Sequence, residues 1–199
     1  MTAESYTRTV DLMSALFLII IAILIFIVFW LRHRIIIQKQ IIVDLKKWHK
    51  MALTDALTQI PNRMAYSKQI QELRDNIFEN VNVSIVLFDI DKFKEINDSN
   101  GHLTGDMVLK RCADMLCEVF NSQDSSVYRI GGDEFAVILK NVSEDYVIDK
   151  LLQVREYENS GLGFKLSKGY SCSTGKKDFL KIFDRADEML YADKFSRNK

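Results

Sequence analysis

The sequence "YRIGGDEFAVIL" (residues 128–139) places two glycines and two acids between two runs of strand-forming residues. A Gly-Gly pair between such runs predicts a β-hairpin. The unusual feature is the pair Asp133 and Glu134, because adjacent carboxylates repel each other and a hairpin that only reverses the chain needs neither charge. The hairpin therefore predicts either a functional site or a pair of solvated turn acids.

A third acid, Asp89, stands near the end of the apolar run "SIVLFDI" (residues 84–90). Such a run is typical of a central strand buried on both faces, so a carboxylate at its end needs a partner. If this strand neighbours the hairpin, Asp89 lies close to Asp133 and Glu134. Three converging carboxylates suit Mg²⁺, with Mn²⁺ possible, and favour metal-assisted phosphoryl or nucleotidyl transfer. Spacing alone leaves solvated turn acids open as the alternative.

The segment 91–109 adds polar candidates before and at the start of a predicted helix. Asp106 is close enough to the helix N-terminus to be a favourable first-turn acid. Its carboxylate is also able to accept the N1–H and 2-amino donors of guanine, a pattern that adenine does not present. Asn97, whose amide both donates and accepts, would complete recognition of the base, and His102 lies between the two in sequence.

Residues 12–31 contain no charged residue and, as a helix, are long enough to span a bilayer. A signal peptide is the alternative, which the length of the run and the acids Glu4 and Asp11 disfavour. Six Lys or Arg residues in 32–50 place the C-terminal side in the cytoplasm. The sequence thus predicts one transmembrane helix, preceded by a short extracytoplasmic tail at residues 1–11.

Residues 32–52 predict a further helix with one apolar face. The apolar residues of that face recur at steps of three and four and are Ile37, Ile41, Leu45, Trp48 and Ala52. One interpretation is a stalk that pairs with a second copy of the chain. The other is a juxtamembrane helix that lies on membrane lipid through its Ile and Lys residues.

The remaining chain, residues 53–199, alternates helix and strand patterns. The predicted elements are helices at 62–79, 91–98, 103–120, 144–156 and 178–193, strands at 83–90 and 163–170, and the hairpin at 126–139. This order predicts a layered α/β sandwich with a mixed central sheet. Residues 51–199 hold 20 Lys or Arg against 24 Asp or Glu, so no basic surface for nucleic acid is expected.

Several motifs in this region, taken together, strongly resemble the GGDEF domain of bacterial diguanylate cyclases. They are "LTDALTQIPNR" (53–63), "FDIDKFKEINDSNGHLTGDMVL" (88–109), "RIGGDEFAVIL" (129–139), "KLSKGYS" (165–171) and "RADEMLYADK" (185–194). The resemblance implies a GGDEF catalytic domain of the nucleotidyl-cyclase, palm-like type at residues 53–199, on the cytoplasmic side of the bacterial inner membrane. Gln59 stands where a glycine is usual in the family.

For the site, the resemblance implies Mg²⁺ bound by the side chain of Asp89 and the backbone carbonyl of Ile90. Asp133 would be a further ligand and would accept the proton of the attacking 3′-hydroxyl, with Glu134 assisting at the metal. The substrate-binding residues that it implies are Asn97, His102, Asp106, Gly131, Gly132 and Lys194. The glycines would let the backbone approach the phosphates, where a Cβ would obstruct it.

The activity implied by the resemblance is the Mg-dependent condensation of two GTP molecules into cyclic di-GMP and two pyrophosphates. Two domains would meet face to face, in a homodimer formed through the stalk helix and the catalytic face. The alternative is a GGDEF-like domain without catalysis that acts as a nucleotide-responsive protein-interaction module. A cyclase that uses ATP is disfavoured, because the carboxylate of Asp106 would face an acceptor nitrogen of adenine.

Two motifs depart from the family pattern. Residues 122–125 read "SQDS" where the family has the Arg-x-x-Asp of an inhibitory product site, so feedback through that site is expected to be absent. The closing segment Lys194–Arg197 is one residue shorter than the family's Lys-x-x-Gly-Arg. The shortening leaves Lys194 able to reach a phosphate and puts that role in doubt for Arg197.

Overall fold

A computed structural model of the chain describes residues 3–76, 82–174, 179 and 181–197. The chain divides into two compact units, Met1–Lys50 and Met51–Lys199. The first unit is formed by most of one helix, α1 (Ala3–Ala52), so no break separates the predicted span from the predicted stalk. From Met13 onward α1 is long and apolar enough to cross a membrane, judged by length and composition alone.

The second unit contains the predicted alternation of helices and strands, which confirms the α/β fold. Its elements are α2 (Arg63–Asn76), β1 (Asn82–Ile90), α3 (Phe93–Asn100), α4 (His102–Val119), β2 (Ser125–Arg129), β3 (Glu134–Lys140), α5 (Glu144–Asn159), β4 (Leu166–Thr174) and α6 (Ile182–Arg197). The predicted end of the helix at 62–79 and the predicted start of the last helix at 178 lie outside the described residues.

The four strands form one sheet in the order β2-β3-β1-β4. Each described pair of neighbouring strands is antiparallel, so the prediction of a mixed sheet is wrong. β2 runs in the same direction as β1, because both strands are antiparallel to β3. However, β3 turns back from the hairpin and inserts between them, so that no two parallel strands become neighbours.

Two hydrophobic cores cover the two faces of the sheet, and β1 alternates between them. Val86, Phe88 and Ile90 belong to the core that includes residues of α4 and α5. The intervening residues, such as Ile85 and Leu87, belong to the core that includes residues of α2 and α6. By this period of two, the side chain of residue 89 faces the α6 side of the sheet. Burial on both faces explains why β1 is apolar almost throughout.

The last strand begins later than predicted, and the last helix extends further than predicted. β4 starts at Leu166 instead of residue 163, because Gly161 and Gly163 adopt φ values of 96° and 90° that no strand contains. The final helix, α6, starts at Ile182 and extends to Arg197, beyond the predicted end at residue 193. Lys194 therefore lies on a helix that packs against β4.

The substitution Gln59→Gly is expected to raise the free energy of unfolding of the Met51–Lys199 unit by about 0.5–1 kcal/mol. Gln59 has a φ of 60°, a left-handed conformation that costs a residue with a Cβ and that glycine adopts freely. The denaturant midpoint measures the effect. Gln71→Gly, in the exposed part of α2, is the control and is expected to cost about 1 kcal/mol. Equal losses at the two positions would contradict the strain at Gln59.

Candidate active site

The register between β1 and β3 brings the predicted acids to the same end of the sheet. Asp89 lies directly opposite Glu134. The backbone N–H of Ile90 donates to the carbonyl oxygen of Asp133 at 3.2 Å. The structure thus confirms that the strand ending at Asp89 neighbours the hairpin.

Asp89 and Asp133 line one cleft of about 710 Å³ at this end of the sheet. The residues that line it are Asp89, Ile90, Lys92, Phe93, Lys94, Glu95, Asp133, Lys194 and Arg197. Four of these residues are basic, so the cleft combines carboxylates with an excess of cationic groups at its walls. This combination is suited to an anionic ligand that is held together with a metal ion.

Asp89 is the buried acid of the cleft and forms an ion pair with Lys194. The Lys194 Nζ donates to the Asp89 Oδ2 at 2.6 Å, and the carboxylate side chain is only 6% exposed. Burial raises the pKa of Asp89; the Lys194 ammonium opposes this change, while the charges of Asp133 and Glu134 add to it. The period-two alternation of β1 explains the pair, because residue 89 faces the helix that carries Lys194.

The tip of the hairpin is a four-residue loop, 130–133, which contains the Gly-Gly pair. The N–H groups of Ile130 and Gly131 both donate to the carbonyl oxygen of Glu134, at 2.9 and 3.3 Å. Neither Gly131 nor Gly132 is among the glycines with positive φ. An added Cβ at Gly131 would meet the carboxylate of Glu134, so the Glu134 side chain would have to move to accept it.

Arg129 holds this loop in place, a role that sequence analysis did not identify. Its guanidinium donates to the carbonyl oxygen of Gly132 at 2.7 and 3.2 Å and forms an ion pair with Asp55 at 2.9 Å. Burial alone would raise the pKa of Asp55, but hydrogen bonds from Thr58 and Arg129 outweigh it and lower the pKa below its ordinary value. The opening motif therefore anchors the hairpin tip. The sequence signal for this role was the Asp-x-x-Thr spacing of Asp55 and Thr58, in which Thr58 donates to the Asp55 carboxylate.

The structure contains only part of the predicted metal-ligand arrangement. Within residues 3–76, 82–174, 179 and 181–197, no three or more His, Cys, Asp or Glu side chains form a group that could hold a metal ion. Asp89 and Asp133 share the cleft, whereas Glu134 is absent from its described lining. The ligand set of Asp89, Ile90, Asp133 and Glu134 therefore stays a prediction.

The predicted base-recognition residues lie on α3 and α4, outside the described lining of the Asp89 cleft. The Asn97 side chain packs so closely against Gly105 that a Cβ there would overlap it, and this contact places Asn97 beside the first turns of α4. Asp106 follows Gly105 and is half-buried, while His102 is the exposed first residue of α4. Sequence analysis missed Gly105, although a glycine inside a helical pattern is a signal of close packing.

Arg197 is held by acids on three different elements or loops. Its guanidinium lies 3.2 Å from Asp193, 3.5 Å from Asp91 and 3.6 Å from Glu158. Asp193 also accepts a hydrogen bond from the backbone N–H of Lys168 at 2.9 Å. These contacts fasten the last turns of α6 to β4 and α5. In this arrangement the Arg197 guanidinium is engaged with carboxylates.

The family model described as "Diguanylate cyclase, GGDEF domain" matches residues 52–199. The diguanylate cyclase DgcP of Pseudomonas aeruginosa is 34% identical over 156 residues, which are 74% of this chain and 23% of that protein. The probable diguanylate cyclase DgcI of Escherichia coli is 32% identical over 154 residues, which are 76% of this chain and 34% of that protein. The chain thus spans about a quarter to a third of the length of these relatives.

The fold is similar to that of solved structures. The coiled coil and GGDEF domain of DgcB from Caulobacter crescentus, crystallised in complex with c-di-GMP, superposes with a TM-score of 0.70 at 26% identity. The superposition covers 79% of this chain and 88% of that chain. The matched family model, the shared fold and the hairpin that meets Asp89 agree: the chain belongs to the GGDEF-domain diguanylate cyclase family.

Proposed function

We propose that this protein is an active diguanylate cyclase, which condenses two GTP molecules into cyclic di-GMP and two pyrophosphates. The observation that carries the proposal is the meeting of Asp89 and Asp133 in one cleft with basic walls. The family to which the chain belongs and the names of its relatives support the same activity.

The donors in the cleft fit a divalent cation, with Mg²⁺ as the proposed ion and Mn²⁺ as a substitute. Asp89 supplies a buried carboxylate, Asp133 a second, and the carbonyl of Ile90 a third hard oxygen at the end of β1. Hard oxygen ligands of this number leave positions for water and phosphate, as Mg²⁺ sites usually do. When bound, the cation would neutralise charge on the triphosphate.

The remaining roles are assigned to residues around the cleft. Asp133 accepts the proton of the 3′-hydroxyl, and Glu134 assists at the metal. Lys194 binds a phosphate as a point charge, and the loop containing Gly131 and Gly132 lies against the phosphates. The residues proposed to contact the nucleoside are Asn97, His102 and Asp106. Asn97 and Asp106 recognise guanine through its donor and acceptor edge.

Because each domain is proposed to hold one GTP, formation of two phosphodiester bonds needs a second copy of the chain. We assign the homodimer contact to the 32–52 part of α1 and to the face that carries the cleft. The exposed apolar residues of α1 from Met13 support a single-pass anchor in the bacterial inner membrane, with the domain in the cytoplasm. Lysines and arginines at 32–50 support that orientation.

The test is turnover by the full chain in detergent micelles with Mg²⁺, given GTP or ATP. GTP is expected to yield cyclic di-GMP and two pyrophosphates per product, whereas ATP yields no cyclic dinucleotide. A version with residues 1–50 replaced by a strong dimeric coiled coil serves as the control for weak assembly. If this forced dimer binds GTP and releases no pyrophosphate, the catalytic proposal is wrong.

One observation favours the second candidate, a catalytically silent interaction module. In the described structure the ammonium of Lys194 is bonded to the carboxylate of Asp89. Among the described residues, the acids do not form a group of three or more that could hold a metal ion. A module of this kind would bind GTP without consuming it. The forced-dimer experiment separates the two functions, because only the cyclase releases pyrophosphate.

A further inference from the structure

We infer that Lys194 serves as the internal counter-ion of Asp89 and is exchanged for the divalent cation, so that cation and triphosphate bind cooperatively. The inference rests on the proposed function and concerns the regulation of the same site. It assigns Lys194 a second partner, a carboxylate, in addition to the phosphate.

The first argument is the cost of burying the carboxylate. Asp89 is 4% exposed as a residue and lies near the end of β1, between Glu134 on β3 and Ser167 on β4. An ionised carboxylate in such a place is strongly destabilised unless a cation is close. Lys194, 105 residues further along the chain, supplies that cation through a contact of 2.6 Å. Without a bound metal ion, the Lys194 ammonium thus stabilises the ionised Asp89 carboxylate, as a metal ion would.

The second argument is competition for the same oxygen atoms. A magnesium ion lies about 2 Å from its ligand oxygens. An ammonium 2.6 Å from Asp89 Oδ2 would then stand beside a doubly charged ion and repel it. The cation is therefore expected to bind weakly while Lys194 remains on Asp89. A triphosphate removes the conflict, because its oxygens offer the ammonium a new partner.

The third argument is that the Lys194 side chain is the movable part of the arrangement. The helix backbone around it is fastened by the contact of Asp193 with the N–H of Lys168 and by the ion pairs of Arg197 with Asp91 and Glu158. The Lys194 side chain is 41% exposed, and its ammonium stands at the end of a flexible stem of four carbons. It is therefore able to swing from carboxylate to phosphate without a displacement of α6. By linkage, the exchange makes each ligand raise the affinity for the other.

The experiment measures Mn²⁺ binding to the full chain in detergent micelles without nucleotide, from the electron paramagnetic resonance signal of free Mn²⁺. Lys194→Met is expected to bind Mn²⁺ about tenfold more tightly than the unchanged chain, since a charge-assisted hydrogen bond no longer competes. Lys194→Arg keeps a competing cation and is expected to bind as weakly as the unchanged chain. Circular dichroism verifies that each variant is folded.

The matched control is Lys92→Met. Lys92 lines the same cleft, but its ion-pair partner is the exposed Glu95, at 3.5 Å. Its removal takes one positive charge from the cleft and leaves Asp89 untouched, so the Mn²⁺ affinity is expected to change less than about twofold. If Lys194→Met binds Mn²⁺ no more tightly than Lys92→Met, the exchange is refuted. Turnover of GTP by the unchanged chain tests the proposed function separately and does not depend on that result.

Discussion

The substitution Asp133→Asn is expected to reduce formation of cyclic di-GMP by a factor of about 10² to 10⁴ while leaving the fold intact. Asn keeps the shape of the side chain but loses the charge that binds a metal and the basicity that accepts a proton, and removal of such a group typically costs a factor of about 10² to 10⁴. Product formation by the forced dimer with GTP and Mg²⁺ measures the effect.

Stability is expected to change by less than about 0.5 kcal/mol, because Asp133 is half-buried on a turn and its described bond to Ile90 uses the backbone carbonyl. Asp124→Asn is the matched control. It removes an exposed acid near the opposite end of β2, and its carbonyl bond to Lys140 is also a backbone bond. Both variants are expected to unfold at the same denaturant concentration, and only Asp133→Asn loses turnover. An unfolded Asp133→Asn would show that the acid is structural.

The substitution Gly169→Val is expected to lower the free energy of unfolding by about 3 kcal/mol or more. Gly169 lies on β4 under α6, where an added Cβ would overlap the carbonyl oxygen of Ala186 and the backbone nitrogen of Leu190. Both obstacles are backbone atoms, so the clash is relieved only by displacement of the helix. Because α6 carries Lys194, the ion pair with Asp89 is expected to be lost with it.

Chemical denaturation of the Met51–Lys199 unit measures this loss. Gly169→Ala is also expected to lower the free energy of unfolding, but by less than Gly169→Val. The control is Gly132→Ala, at a glycine where an added Cβ meets no atom within 4 Å and where φ is not positive. Its stability is expected to change by less than about 0.5 kcal/mol. A fully stable Gly169→Val variant would mean that α6 does not pass so close to β4.

The local sequence pattern was sufficient to predict the strands and the hairpin that surround the candidate site. The apolar run before Asp89 predicts a strand buried on both faces, and β1 is buried from Val83 to Ile90. The two strand-forming runs around the glycines predict the hairpin, and β2 pairs with β3 as expected. These features depend on side-chain periodicity and on burial, which neighbouring residues in the sequence already express.

Local pattern was insufficient where a single backbone conformation sets a boundary. The start of β4 was misplaced because Gly161 and Gly163 leave the strand region of φ, and a glycine in sequence does not reveal which φ it adopts. Likewise, the Gly-Gly pair predicts a hairpin but not the length of its loop, which spans residues 130–133 between β2 and β3.

By itself the sequence determined the types of the elements and the family, because periodicity and ordered motifs are properties of the chain alone. The tertiary structure alone decided the antiparallel order of the strands, the ion pair between Asp89 and Lys194, and the capture of Arg197 by three acids. Periodicity states which face of β1 a side chain occupies. It does not state which distant helix covers that face, because that choice depends on packing between elements far apart in the chain.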